Sequence, residues 1–226
     1  MSVRSEVVDG VTVIHVDDGK ANALNEAATA QIAEALAAST GPVVLHGREG
    51  KFSAGFDLKV MMAGGEAALG MVKAGFHLAL DLYLHPTPVV AACTGHAMGA
   101  GAILLMAADV RVGASGSFKI GLPEVQIGLP LPRVPHALAR ERLARSHFVE
   151  ATLCSTIYGP DDAVTVGFLD EVVDMDEVLA RSVARAAALG ALPPHAFAAT
   201  KRMQRQPLFD AERARIEGDL GSFFTG

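Results

Sequence analysis

Two glycine-rich turns stand where a predicted strand passes into a predicted helix. Residues 52–59 have the sequence Phe-Ser-Ala-Gly-Phe-Asp-Leu-Lys, and residues 94–101 have Thr-Gly-His-Ala-Met-Gly-Ala-Gly. Small residues at a helix start leave backbone N–H groups exposed and positively polarised. Two such turns side by side could direct two N–H donors at one carbonyl oxygen, as in an oxyanion hole. Tight packing between strand and helix is the alternative, and glycine turns serve that purpose more often.

A third segment, residues 119–130, is apolar, bent by proline and glycine, and contains one acid, Glu124. Apolar surroundings disfavour the charged carboxylate, so they raise its pKa and suit it to proton transfer near neutral pH. The alternative is a glutamate that faces solvent from a loop, which is the commoner situation for this residue type. The second glycine turn lacks the GxGxxG spacing and the later acid of a dinucleotide site, which excludes that function.

The elements that must position these turns alternate between strand and helix patterns. Strands are predicted at residues 11–16, 43–46, 89–93, 110–112, 117–120 and 169–173. Helices are predicted at residues 26–38 with Asn25 as the cap, around 57–62, and at 72–84, 102–108, 178–189 and 194–204. This alternation predicts an α/β core whose strands are buried on both faces. Since helices dominate after about residue 140, we divide the chain into a core, residues 1–140, and a helical region, residues 141–226.

Composition excludes several classes of function. Half of the 226 residues are hydrophobic and 19% are charged, which is typical of a packed globular protein. The net charge of −6 provides no basic surface for nucleic acid. Residues 88–108 carry no formal charge and contain Gly95-x-x-x-Gly99, but they change midway from β-branched to helix-forming residues. A strand, a turn and a buried helix explain that segment better than a membrane span.

Cysteine and histidine spacing indicates no metal site. Cys93 and Cys154 form no CxxC or Cys/His pattern and are predicted to be buried free thiols, as expected in a reducing cytosol. The amino terminus has no apolar segment typical of a targeting signal. We therefore expect a cytoplasmic protein without a metal ion.

Four segments together resemble the enoyl-CoA hydratase/isomerase (crotonase) superfamily. In chain order these are Asn-Ala-Leu-Asn at 22–25, the turn at 52–59, Gly-His-Ala-Met-Gly-Ala-Gly at 95–101, and Gly-Leu-Pro-Glu-Val-Gln-Ile-Gly-Leu-Pro at 121–130. The resemblance continues through 158–163, 167–173 and 192–201, so it covers nearly the whole chain. It implies a crotonase-like spiral of ββα units, a C-terminal helical trimerisation region, and a homotrimer or dimer of trimers.

The resemblance also implies site residues and an acyl-CoA thioester as the substrate. The thioester carbonyl is expected between the backbone N–H groups of Phe56 and Ala100, with Glu124 as the catalytic acid or base. Coenzyme A belongs to the substrate, and no separate cofactor is implied. The residues implied in acyl-CoA binding are Lys20, Ala21, Leu24, Ala54, Asp57, Leu58, Ile103 and Lys201.

Two departures from the family pattern bear on the reaction. Ala100 stands where relatives usually have glycine, which tolerates more backbone angles. Ile103 stands where hydratases carry a second catalytic glutamate, and it follows Ala100 by three positions, so it should face the same pocket. Hydration needs one carboxylate to activate water and another to handle the proton. Moving a double bond from C3–C4 to C2–C3 needs one base, which removes a proton at C2 and returns it at C4.

The sequence therefore favours a Δ3,Δ2-enoyl-CoA isomerase in which Glu124 carries the proton. Two alternatives remain open. An enoyl-CoA hydratase of fatty-acid β-oxidation, a lyase, would need another acid, and a non-catalytic acyl-CoA-binding homologue would keep the fold while losing the chemistry.

Overall fold

A computed structural model of the protein describes residues 2–218, which form eleven strands and nine α-helices. The strands are β1 (Ser2–Val8), β2 (Val11–Asp17), β3 (Ala23–Leu24), β4 (Val43–Gly47), β5 (Gly50–Ser53), β6 (Gly55–Phe56), β7 (Val89–Cys93), β8 (Gly95–Met98), β9 (Val110–Ala114), β10 (Ile120–Gly121) and β11 (Glu171–Val173). The helices are α1 (Glu26–Ala38), α2 (Leu58–Ala63), α3 (Gly65–Leu84), α4 (Ala100–Ala107), α5 (Arg133–Arg142), α6 (Phe148–Thr152), α7 (Pro160–Val166), α8 (Val178–Gly190) and α9 (Pro194–Arg213).

A six-stranded sheet in the order β1-β2-β4-β7-β9-β11 forms the centre of the molecule. β1 pairs antiparallel with β2, and every other neighbouring pair is parallel. All five residues of β7 are buried, which is typical of a parallel strand covered on both faces. The predicted α/β core with buried strands is confirmed.

The chain winds through this sheet as a spiral of ββα units. Each of β4, β7 and β9 is followed by a short strand in a second, three-stranded parallel sheet of order β10-β8-β5, and then by helix. The first unit, β2-β3-α1, differs because β3 pairs instead with β6. This architecture agrees with the crotonase-like fold that the sequence implied, and it brings the two glycine-rich turns, which end β5 and β8, to the same side.

The region after residue 140 joins the core in two ways. β11 adds an edge strand to the large sheet beside β9, so the sheet crosses the division that we placed at residue 140. Helix α8 packs across β4, β7 and β9. The spacing of Val178 and Val183 predicts a buried face on this helix, and both residues lie in a hydrophobic cluster with β2, β4, β7 and β9. This face therefore packs on its own chain and is not available to the trimer contact that the resemblance implies for the helical region.

Several boundaries differ from the sequence predictions. Strand β1 was missed, although Asp9 and Gly10, both with positive φ, form the hairpin turn that joins it to β2. Helix α3 begins at Gly65, seven residues before the predicted start, although the glycines at 65 and 70 are poor helix formers. Helix α9 continues to Arg213, nine residues past the predicted end at 204, and contains Pro207, a residue that usually ends or kinks a helix.

Residues 88–108 form the predicted strand, turn and helix. Another segment, α3, is long and apolar enough to cross a membrane, but more than half of its apolar window is buried within the fold. Its hydropathy is that of a helix packed in the core. Of the two cysteines, Cys93 is buried, with its thiol pKa raised to about 12 by burial, whereas Cys154 is exposed. The prediction of two buried thiols is wrong for Cys154, which follows the short helix α6 at the surface.

Candidate active site

One cavity contains the residues that sequence analysis singled out for chemistry. It lies among helices α2, α3 and α4 and the loop that precedes α5. The lining comprises Ala54, Gly55, Phe56, Leu58, Met61, Val72, Phe76, Gly99, Ala100, Ile103, Pro123, Glu124, Ile127, Leu129 and Pro132. Glu124 is the one polar side chain in this set, and the other lining residues are hydrocarbon, methionine or glycine. A single carboxyl group therefore faces an apolar space.

Gly55 allows the two glycine-rich turns to touch. Its φ of +91° is in the left-handed region, and a Cβ there would lie 2.7 Å from the carbonyl oxygen of Met98 and 3.3 Å from the nitrogen of Ala100. Any side chain at this position would force the turns apart. The close approach places the segments that carry the Phe56 and Ala100 N–H groups next to each other at the cavity.

The two predicted oxyanion donors are not used by their own elements. The Asp57 N–H donates to the Leu24 carbonyl at 2.9 Å across the β3–β6 ladder. Because successive N–H groups of a strand point to opposite sides, the Phe56 N–H points away from β3. The Ala100 N–H belongs to the first turn of α4, where no intrahelical acceptor exists. Neither group is thus engaged within its own element, which is what an oxyanion donor requires.

Alanine fits at position 100 without strain. Ala100 is the first residue of α4, so its backbone has ordinary helical angles, and the positive φ of this turn (+52°) belongs to Gly99. The departure from the family pattern at this position therefore removes no conformation that the turn requires. The start of α4 also carries the positive end of the helix dipole, which stabilises negative charge on an oxygen bound there.

Glu124 is held against the same turn. Its Oε1 lies 3.4 Å from the point where a Cβ on Gly99 would stand, which is van der Waals contact and places the carboxyl beside Ala100. Its Oε2 is buried and has no hydrogen-bond partner among residues 2–218. Burial raises the pKa of Glu124 from 4.5 to about 7. A carboxyl with this pKa is a base and an acid in comparable amounts at neutral pH, which suits a group that must both remove and return a proton.

Ile103 lies where the sequence spacing placed it. One helical turn after Ala100, it lines the same cavity and is only 3% exposed. The position at which family hydratases carry a second carboxylate is therefore inside the cavity of this chain, and it is occupied by a hydrocarbon.

Of the eight predicted binding residues, three line the cavity, namely Ala54, Leu58 and Ile103, and the other five do not. Two of those five are hydrogen-bonded to the turn that borders the cavity, because Ala21 accepts a hydrogen bond from the Ala54 N–H at 2.9 Å and Leu24 accepts one from Asp57. Asp57 caps α2 through Lys59, and Lys20 is exposed at the surface of the same segment.

Asn22 positions this segment, and sequence analysis did not assign it that role. The side chain is fully buried, its φ is +51°, and its amide donates to the carbonyls of Val16 (2.7 Å) and Lys51 (3.1 Å). Its own carbonyl accepts a hydrogen bond from the Ser53 hydroxyl at 2.8 Å. Asparagine tolerates left-handed backbone angles better than most residues, which is the signal that could have indicated this role.

Lys201 does not line the cavity of its own chain. Its amine donates to Asp109 at 2.7 Å and to the Thr87 carbonyl at 3.2 Å, and the side chain is almost fully buried. Arg205 binds the other oxygen of Asp109 at 2.8 Å. Burial lowers the pKa of Lys201 to about 8, despite the attraction of Asp109. Within one chain this lysine holds helix α9 to the core.

Sequence analysis also missed most of the apolar wall. Val72 and Phe76 lie four residues apart on α3 and so share one face, which is the only signal for them that the sequence contains. That spacing is the same for cavity lining and for ordinary core packing. Within residues 2–218, no group of three or more His, Cys, Asp or Glu side chains is arranged to hold a metal ion.

Two curated relatives carry different activities in their names. Enoyl-CoA delta isomerase 1, mitochondrial, from Rattus norvegicus is 29% identical over 185 residues, which cover 81% of this chain and 64% of the relative. Probable enoyl-CoA hydratase EchA17 from Mycobacterium tuberculosis is 32% identical over 164 residues, covering 70% of this chain and 61% of the relative. The chain thus spans less than two thirds of the length of these relatives.

Structural comparison and a family model agree on the class. An enoyl-CoA hydratase/isomerase family protein from Pseudomonas syringae superimposes with a TM-score of 0.94 at 37% identity, covering 98% of this chain and 97% of the other. The family model described as enoyl-CoA hydratase/isomerase matches residues 6–225. With the spiral fold, the paired turns and the buried glutamate, this match shows that the chain belongs to the enoyl-CoA hydratase/isomerase family.

Proposed function

We propose that this protein moves the double bond of a 3-enoyl-CoA to the 2-position. The observation that carries the proposal is the cavity lining, in which Glu124 is the single ionisable side chain and Ile103 occupies the place of a second acid. The thioester carbonyl would accept hydrogen bonds from the Phe56 and Ala100 N–H groups, which lowers the energy of negative charge on its oxygen.

The proton can follow a balanced path with Glu124 alone. The Glu124 carboxylate takes a proton from C2, and the electron pair of that C–H bond spreads over the dienolate to the thioester oxygen. The protonated Glu124 then returns the same proton to C4, as the C2–C3 double bond forms and the C3–C4 double bond is lost. Because burial raises the pKa of Glu124 to about 7, Glu124 is a stronger base than an exposed glutamate, and both its protonated and its ionised forms are present near neutral pH. The large cost of forming the dienolate would be lowered by the two N–H donors at the thioester oxygen.

Hydration of a 2-enoyl-CoA is the second candidate, supported by the relative named a probable enoyl-CoA hydratase. It would need a group to position and activate water besides Glu124. The cavity lining within residues 2–218 offers no second acid or base for that step.

We also propose that the active form is a homotrimer or a dimer of trimers in the cytoplasm, requiring no cofactor besides the coenzyme A of its substrate. The assembly and the substrate follow from the resemblance of the sequence to the family, and the cytoplasmic location from the two free cysteines, which suit a reducing compartment.

The first test uses both substrates and one substitution. Purified protein is given a 3-enoyl-CoA and, separately, a 2-enoyl-CoA, and the 2-enoyl and 3-hydroxyacyl products are quantified. We expect isomerisation to exceed hydration. Glu124→Gln should lower the isomerisation rate about 10²–10⁴-fold, the usual loss on removing a general base, while acyl-CoA binding measured by calorimetry stays close to wild type. Unchanged kinetics in this variant, or faster hydration in the wild type, would contradict the proposal.

A further inference from the structure

The cavity has an exposed mouth and a buried inner end. Leu58 and Ile127 at the mouth are 65% and 57% exposed. Val72 and Phe76 are 2% exposed and Ile103 is 3% exposed, so these three side chains form the inner wall. A bulky, polar coenzyme A group can occupy only the open side. An acyl chain that continues past the reacting carbons must therefore enter the apolar inner end.

The inner wall is part of the main hydrophobic core. Val72, Phe76 and Ile103 all belong to the large core cluster of the protein. Helix α3, which carries the first two, packs against α1, α4 and α9, so it has neighbours behind the cavity as well. Close-packed interiors yield little volume without a cost in stability. The wall is therefore a fixed limit to the depth of the cavity.

The volume of the cavity sets the number of carbons that it can hold. It measures about 100 Å³. An apolar protein cavity of about 150 Å³ accommodates benzene, which has six carbons, so 100 Å³ corresponds to roughly four. Four carbons are those from the thioester carbonyl to C4, the atoms that take part in the proposed isomerisation.

We infer that this enzyme is selective for short acyl groups of about four to six carbons, with Val72, Phe76 and Ile103 as the residues that set the limit. The inference rests on the proposed function for its choice of substrate, but the closed inner end would limit the binding of any acyl-CoA.

Binding is the first measurement, because it does not depend on turnover. Saturated acyl-CoAs with two to twelve carbons are titrated into the wild-type protein by calorimetry. In an open apolar tunnel each added methylene contributes about 0.8 kcal/mol, or about a fourfold gain in affinity. We expect that gain as far as about six carbons and then a plateau or a loss. A fourfold gain per methylene that continues to twelve carbons would overturn the inference. It would show that the acyl group extends out of the cavity along an apolar path and does not stop at the inner wall.

A matched pair of substitutions locates the limit. Val72→Ala removes two methyl groups from the inner wall, and Val44→Ala makes the same change at a buried residue of the opposite core cluster, outside the cavity. We expect Val72→Ala to move the break in the affinity series toward eight carbons and Val44→Ala to leave it in place. Thermal melting shows whether both variants are folded, and if Val72→Ala is not, Phe76→Leu replaces it. Equal profiles for the folded cavity variant and Val44→Ala would contradict the assignment of the inner wall.

Turnover separates this inference from the proposed function. With 3-enoyl-CoAs of four, six, eight and twelve carbons, we expect kcat/KM to fall about tenfold or more beyond six carbons. A break at six carbons in binding without isomerisation at any length would refute the proposed reaction and leave the inferred limit standing. Isomerisation of 3-enoyl-CoAs of all four lengths with similar kcat/KM would support the proposed reaction and refute the inferred limit on acyl length.

Discussion

Glu124 combines two effects of burial in one side chain. Its Oε2 has no hydrogen-bond partner among the described residues, and the cavity around it is hydrocarbon, so the charged form is poorly solvated. The same environment that raises its pKa to about 7 makes it a stronger base than an exposed glutamate. Reactivity at this residue is therefore linked to a loss of stability when the residue ionises.

The pH dependence of activity and stability should show this link. We expect kcat/KM for isomerisation to rise as Glu124 in the free enzyme loses its proton around pH 7. The folded-state pKa is raised, so the native state binds the proton more tightly than the unfolded chain does. The stability due to this proton is fully present below pH about 4.5 and is lost as the pH rises through about 7.

Glu124→Gln is the control for that prediction, since it cannot ionise. We measure the free energy of unfolding by denaturant at a series of pH values. Between pH 5 and 8 the stability of the variant relative to the wild type should increase, by about 3 kcal/mol at most. A difference in unfolding free energy that does not vary with pH would show that Glu124 titrates as an ordinary surface carboxyl.

Ile103 determines which reaction the cavity can support. Ile103→Glu restores a carboxyl one helical turn from Ala100, and we expect measurable hydration of a 2-enoyl-CoA, quantified as the 3-hydroxyacyl product. The new acid should also raise the pKa of Glu124 by repulsion between like charges and move the rise in isomerisation to higher pH. Burying a carboxyl beside apolar residues should lower thermal stability.

Ile103→Gln is the control for Ile103→Glu, because glutamine has nearly the same size and shape as glutamate and is polar but cannot act as a base. If both variants hydrate a 2-enoyl-CoA at the same rate, a polar side chain at position 103 is sufficient for hydration and a second carboxylate is not required.

At the scale of elements, the site depends on how strand ends meet helix starts. Strands β5 and β8 are neighbours in the small sheet, so the turns that follow them lie side by side. Because Gly55 has no Cβ, which would clash with the Met98 carbonyl oxygen, the two turns can approach each other closely. The spiral of ββα units explains this proximity, because each unit places its turn on the same side as the one before.

Ala100 tests the donor at the start of α4. Ala100→Gly keeps the backbone N–H, and we expect activity close to wild type. Ala100→Pro removes the N–H at a position where proline is compatible with a helix start, and the loss of one oxyanion donor costs about 2.7–4 kcal/mol of transition-state stabilisation. The measurement is kcat/KM for both variants, with thermal melting to show that each is folded. Full activity in a folded proline variant would place the carbonyl site elsewhere.

At the scale of the whole molecule, packing of α8 bears on assembly. Val178 and Val183 are buried against the sheet of their own chain, so a trimer must form through other surfaces. Light scattering at micromolar concentration should give a mass of three or six chains. A monomer over the whole concentration range would contradict the proposed trimer without affecting the fold, because the core and the lining residues described here all come from one chain.

Much of the fold followed from the sequence because the signals involved are local. Asn25 caps α1 by accepting a hydrogen bond from Ala28, three residues on, so the start of this helix could be predicted to the residue. The glycine turns and the apolar loop around Glu124 are likewise recognisable from a few adjacent residues. The spacing of Ala100 and Ile103 on one helix face was sufficient to place both in the same cavity.

Tertiary structure alone decided the features that depend on residues distant in sequence. Lys201 binds Asp109, 92 positions away, and no pattern around either residue indicates the pair. The spacing of Val72 and Phe76 predicts a buried face, yet whether that face packs on a helix or borders a cavity depends on α2 and α4. The apolar face of α8 was equally ambiguous between its own sheet and another subunit. For the apolar faces of α3 and α8 the sequence determined that the side chains are buried, and the packing of remote elements determined against what. For Lys201 the tertiary structure decided both its burial and its partner.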